Sequence, residues 1–291
     1  MVRKIRLIVS VDGGGIRGII PLKMMSYLDQ LITQRTNQSL NSLIDGVAGT
    51  STGSVIGASL IVDDSNGNVK YKPQDILNLY IERGSQIFSM ERTENELPFN
   101  LVLENSFGTI TLKELRKHFL FVSYDQLLNK PFILTDFDKK YEDIQLTKVL
   151  MASCAIPEYF PSVKLDGKEL IDGIFAAKNP SLLGFEYAKI HFPNDVILMY
   201  SFGTGIIPSE SQDNIDREVN RVHHELMREA NNNPDFIYYR FEPELSNSNV
   251  PMDDTSERNI NELIETAANF IQSHQTEIQE SVQKLLILKQ L

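Results

Sequence analysis

The apolar positions of the chain follow two periods. Residues 5 to 11, IRLIVSV, form a β-branched run closed by glycine, which predicts a buried strand. Pro21 suits the first turn of a helix, and Met24, Leu28, Leu31 and Ile32 recur on one helical face behind it. In DGVAGTSTGSVIGASLIV, 45 to 62, a weakly written strand precedes a helix that is apolar on nearly every side, hence deeply buried. VDDSNGNVKYKP is turn chemistry, and Pro73 to Phe88 predicts a further helix. Strands are expected over 131 to 137 and 195 to 202, and a helix over 145 to 155, ended by Pro157. SVKL and KELID flank Asp166-Gly167 as a hairpin. From Ser256 on, Ile260, Ile264, Ala267, Ile271, Ile278 and Val282 share the stripe of one long helix expected to pack on the sheet. Residues 89 to 108 show no period. They carry Leu97, Phe99, Leu101, Val102, Leu103 and Phe107, to be packed over the core or used as a lid over substrate.

Strands alternating with helices imply an α/β fold, with a mainly parallel central sheet and helices on both faces. No repeat, low-complexity stretch or linker divides the chain. Residues 1–291 therefore read as one domain, with the motifs in about 5–205 and a helical part over about 210–291.

Composition narrows the function. The 291 residues carry 28 Lys and Arg against 39 Asp and Glu, a net charge of −11, with no Lys/Arg run longer than two. That argues against nucleic acid as a partner and against electrostatic attraction to anionic lipid. The single cysteine, Cys154, excludes an internal disulfide and a cysteine-rich metal site. The apolar stretch Leu7 to Val11 is too short for a signal peptide, and GSVIGASLIV is too short to span a bilayer. The expectation is a cytoplasmic chain whose contact with membranes is peripheral.

Three pieces carry candidate chemistry. In VDGGGIRG, 11 to 18, Gly13, Gly15 and Gly18 fit the dinucleotide fingerprint, but such a loop could equally hold an oxyanion. A dinucleotide site needs an acidic residue about 20 positions further on. Only Asp45 is available, and it leads straight into the next glycine motif. That motif, GTSTG at 49 to 53, is G-x-S-x-G. A nucleophilic serine on a sharp strand-to-helix turn needs nearly side-chain-free neighbours two residues either way, here Gly49 and Gly53. The N–H of Thr52 would then be a natural oxyanion donor. The same five residues also make an ordinary polar turn, and the pattern alone leaves both readings open.

A serine nucleophile at Ser51 needs a base. His223 and His224 lie in DREVNRVHHELMRE, which reads as a solvated helix face. The chain order Ser…Asp…His keeps a triad with either of them as an alternative. Asp172, at the end of ELID and before Gly173, could accept the serine proton directly as a two-member dyad, although an Asp-Gly pair by itself is a common turn.

DGGGIRG, GTSTG and Asp172-Gly173, in that order, resemble the patatin-like phospholipases, serine lipid acyl hydrolases with a Ser-Asp dyad. VLMASCAIPEYFP, Asn179-Pro180 and SFGTG resemble the family's connecting segments. The resemblance implies a patatin-like three-layer α/β/α sandwich, Ser51 as nucleophile and Asp172 as base. It implies Gly13, Gly14 and Gly15 as backbone donors to the oxyanion, with Arg17 nearby, and Asp12 as a brace for the turn. No metal or organic cofactor is required, and the implied substrate is a glycerolipid ester in a membrane or micelle. Ile174 and Lys178 depart from the family pattern, which commonly has Gly or Ala, and Asn, at those places.

Overall fold

The computed structural model describes residues 3–88, 98–157, 159–207, 214–245 and 251–291. Its strands are β1 (Ile5–Val11), β2 (Gly46–Thr50), β3 (His118–Asp125), β4 (Lys130–Thr135), β5 (Val163–Leu165), β6 (Lys168–Asp172), β7 (Val196–Phe202) and β8 (Phe236–Phe241). The helices are α1 (Ile19–Thr36), α2 (Leu40–Leu43), α3 (Thr52–Ile61), α4 (Pro73–Ile87), α5 (Pro98–Phe107), α6 (Leu146–Ser153), α7 (Ser181–His191), α8 (Asn214–Asn232), α9 (Glu257–Ser273) and α10 (Gln275–Lys289). One sheet runs β5-β6-β3-β2-β1-β7-β8, with β4 also paired to β3. Its β3-β2-β1-β7-β8 portion is parallel, and the β4, β5 and β6 pairings are antiparallel.

Alternation along the strands builds two cores. Leu7, Val9 and Val11 of β1 join the larger core with α1, α3, α4, α5 and α6, while Ile8 faces the smaller one with α7 and α8. Both faces are therefore covered, as a parallel sheet requires.

Where the pattern and the structure differ, the reasons are local. Residues 98–107 of the segment without a period form α5. Phe99, Leu103 and Phe107 are buried at a four-residue spacing that is too brief to stand out among Leu101 and Val102. Residues 89–97, including Leu97, lie outside the described residues. The single long C-terminal helix is two: the backbone leaves helical geometry at His274 (φ −113°, ψ 20°), and α10 turns back over α1. In α9 the buried stripe is Ile260, Leu263 and Ala267, while Ile264 and Ile271 are only half-buried. The strands β3 and β8 and the helix α7 carry no assignment in the pattern reading, because each is short and interrupted by polar or aromatic positions.

The β3 strand is the ruler on which the candidate site is laid out. On one edge it pairs with β4 from Leu120 to Asp125. Its other edge is therefore shared, with β2 against His118 to Val122 and β6 against Ser123 to Asp125. Thr50 stands opposite Val122 and Asp172 opposite Ser123. The chain thus leaves β2 at Ser51 just where β6 delivers Asp172.

Candidate active site

Ser51 occupies the turn between β2 and α3 with φ 53° and ψ −126°, a conformation that L-residues rarely adopt. The turn is tight enough to require glycine on both sides. A Cβ on Gly49 would lie 2.6 Å from the Gly53 carbonyl oxygen, and one on Gly53 would lie 2.1 Å from the Val11 carbonyl oxygen. This close approach distinguishes the segment from a plain polar turn. The elbow is also held from a distance: the Ser51 N–H donates to Ser153 Oγ at 3.0 Å. That hydroxyl in turn donates to the Val122 carbonyl at 2.6 Å and lies 2.8 Å from Ser54 Oγ.

The Ser51 hydroxyl donates to Asp172 Oδ2 at 2.7 Å. The other carboxylate oxygen accepts the Ile174 N–H at 2.8 Å, so among the described residues no histidine bonds to Asp172. Asp172 is 1% exposed, and burial pushes its carboxyl up to about 7, with the bonds from Ile174 and Ser51 pulling the other way. Gly173 is required here, since a Cβ would lie 2.3 Å from the Val122 carbonyl oxygen. Both departures from the family pattern acquire a place. Ile174 orients the carboxylate through its N–H and lines the cleft. Lys178 forms a buried ion pair with Asp216 at 2.7 Å, while its carbonyl accepts the Gly13 N–H.

The glycine loop lies beside the elbow, with the Cβ position of Gly13 at 3.4 Å from Ser51 Cβ. The expectation for the loop is corrected in two respects. Gly13 N–H is committed to the Lys178 carbonyl at 3.0 Å, so it is no free donor. Arg17 is 4% exposed in the turn that opens α1 and is not among the residues lining the cleft. The N–H groups of Gly14, Gly15 and Thr52 donate to no acceptor among the described residues, and all three residues line the cleft with Ser51. Asp12 is fully buried and bound by Arg240 of β8 through bonds of 2.9 and 2.6 Å, an anchor behind the loop.

Above these groups is a cavity of about 320 Å³, walled by Val55, Tyr80, Ile87, Phe99, Phe160 and Met252. Cys154 also faces it, its thiol pushed well above the ordinary range by burial and by Asp172. Met252 comes from the far end of the chain, and its carbonyl accepts the Ile16 N–H at 2.8 Å behind the glycine loop.

The alternatives find no such assembly. His223 and His224 do not reach Ser51. His223 lines a separate polar cavity beside Arg240, and burial together with Arg240 and His224 holds it down to about 4. Asp45 precedes β2, at the opposite end of the sheet from the glycine loop, where it accepts the Leu7 N–H at 2.8 Å. A ribose-binding carboxylate would have to follow that strand.

Ser153, Arg240 and Met252 went unmarked in the sequence because each acts on partners far away along the chain. Replacing Ser153 by Ala leaves the half-buried Ser51 N–H without its acceptor. We expect kcat to fall by about 10- to 100-fold with KM little changed, and stability to drop by about 1–3 kcal/mol. Restored kcat in Ser153→Thr would tie the effect to the hydroxyl, and unaltered kcat in Ser153→Ala would remove its role.

A sequence model of the patatin-like phospholipase family matches residues 9–183, more than half of the chain. The protein named "Probable inactive patatin-like protein 9" of Arabidopsis thaliana is 28% identical over 251 residues, which cover 75% of this chain and 65% of that protein. Patatin-17 of Solanum cardiophyllum is 28% identical over 202 residues, covering 62% of this chain and 52% of its own. The chain thus spans about half to two-thirds of the length of these relatives. Among solved structures, VipD from Legionella pneumophila aligns over 94% of this chain and 67% of its own, with 14% identity and a TM-score of 0.42. On the match to its family model, the chain belongs to the patatin-like phospholipase family.

Proposed function

We propose that this chain is a serine lipid acyl hydrolase of the phospholipase A or lysophospholipase type, acting through Ser51 and Asp172. The observation that carries the reading is the 2.7 Å bond from Ser51 Oγ to a buried carboxylate at the floor of an apolar cavity. Asp172 takes the hydroxyl proton as Oγ attacks the acyl carbonyl. The N–H groups of Gly14, Gly15 and Thr52 receive the oxyanion. Collapse passes the proton to the leaving alcohol and leaves an acyl-enzyme. Asp172 then activates the water that hydrolyses it. The apolar walls suit a fatty-acyl chain, and a glycerolipid supplies such a chain as an ester.

Two of the similar proteins carry "probable inactive" in their names, and this chain has both a serine at 51 and a carboxylate at 172 in hydrogen-bond contact. A fluorophosphonate probe is expected to label the native chain and to leave Ser51→Ala unlabelled. A native chain that resists the probe and turns over no fatty-acyl ester would overturn the reading. Replacing His223 and His224 together by Gln is expected to leave ester turnover within about 2-fold of native, since among the described residues the bonds at Asp172 come from Ser51 and Ile174 and neither imidazole takes part. Loss of all turnover in that variant would restore the triad.

A further inference from the structure

The sheet end that carries Ser51 and Asp172 also carries an apolar tip. The strand β3 runs parallel to β2 and continues past it, so Asp125 stands two residues beyond the level of Ser51, roughly 7 Å at the usual strand rise. The chain then turns through Gln126, Leu127, Leu128 and Asn129 into β4. Leu127 and Leu128 are each 59% exposed. Turn tips ordinarily carry Gly, Asn, Asp or Ser, and isolated surface leucines need no explanation, but two adjacent ones at a tip do. Phe175, 51% exposed and three residues after Asp172, has its ring 6.4 Å from that of Tyr124, the residue before Asp125 in β3.

The tip is held firmly. Asp125 Oδ1 accepts the N–H groups of Leu127 at 3.1 Å and Leu128 at 3.4 Å, and Asn129 takes the left-handed conformation at φ 50° that closes the turn. Holding it costs stability: Asp125 is fully buried, and its Oδ2 has no hydrogen-bond partner among the described residues. A fold selected for stability alone would bury the leucines and expose the carboxylate. Here the reverse is built. In a chain of net charge −11, the only charge on the exposed part of the turn is the Lys130 ammonium. Its stem can lie along the apolar tip while its head meets phosphate oxygens. No helix among the described residues is long and apolar enough to cross a membrane.

We propose that the 126–130 turn, with Phe175 beside it, is the docking element that seats the Ser51 cleft on the surface of a zwitterionic glycerophospholipid bilayer. Leu127 and Leu128 enter the acyl boundary and Lys130 engages the phosphates. The inference rests on the hydrolase reading for its choice of partner.

The chain contains no tryptophan, so Leu127→Trp in a Ser51→Ala background places a single reporter at the tip. Phosphatidylcholine vesicles are expected to shift its emission to the blue. The double variant Leu127→Ser/Leu128→Ser, in the same background, is expected to bind those vesicles about 10- to 100-fold more weakly in co-sedimentation. With Ser51 restored, the double variant should keep native turnover of a water-soluble short-chain ester. An unshifted reporter at saturating lipid overturns the proposal, as does native-like binding by the double variant. A shift that follows protein concentration without lipid assigns the tip to a second copy of the chain and overturns it too. The binding readouts use a chain without its nucleophile, so they stand or fall independently of ester turnover.

Discussion

Ser51→Ala is expected to lower turnover of a fatty-acyl ester by at least about 10⁴-fold, leaving only what binding and backbone donors supply. The size follows from what the hydroxyl alone does. Without it no acyl-enzyme forms, and water would have to attack from a place that the strained elbow was built to fill. The elbow itself survives, because Gly49, Gly53 and the Ser153 bond to the Ser51 N–H are untouched by the change. Substrate binding in the apolar cavity should therefore persist, and the loss should fall on kcat rather than KM. Steady-state kinetics on a chromogenic ester checks this. Native kcat in the alanine variant would end the account of Ser51 as nucleophile.

Asp172→Asn is expected to remove turnover by about 10³-fold or more while making the chain more stable above neutral pH. The base works only as a carboxylate. With its carboxyl held at about 7, native kcat/KM should rise tenfold per unit up to about pH 7 and level off above it. The asparagine variant should lose that limb. For stability the sign is opposite. The unfolded chain releases this proton near pH 3.9, whereas the folded chain keeps it to about 7. Between those values the folded state binds the extra proton, so its advantage is complete below the lower value and is lost as pH rises through the upper one. Above neutrality the buried charge costs on the order of 1–4 kcal/mol. Asparagine carries no charge and keeps an oxygen for the Ile174 N–H. Its melting temperature should exceed the native one at pH 8, with the difference shrinking toward pH 5. An equal or lower melting temperature at pH 8 would show that burial does not strain this carboxylate.

Much of the site could be read in the chain because glycine and short-range spacing write it locally. GTSTG, the glycine loop and Asp172-Gly173 each state a backbone demand within a few residues, and the structure brings the three together. The same locality explains the gaps. The oxyanion-loop expectation included Gly13 because three adjacent glycines look alike in sequence. Only the fold decides that the Lys178 carbonyl takes one of their three N–H groups. Nothing in the sequence near Arg17 shows that it stays out of the cleft lining, and nothing near His223 shows that α8 carries it to another cavity.

By itself the sequence determined the strand-turn-helix units and the residue types able to supply a nucleophile, a base and amide donors, since these follow from period, turn chemistry and steric limits within a few residues. Tertiary structure alone decided the assembly. The β3 strand lends one edge first to β2 and then to β6, so residues 51 and 172 meet although 121 positions separate them. Ser153, Met252 and Arg240 also come to the site from distant parts of the chain. The physical reason is that strand register and the burial of a carboxylate depend on partners distant in the chain, and a local pattern cannot carry information about neighbours that only folding supplies.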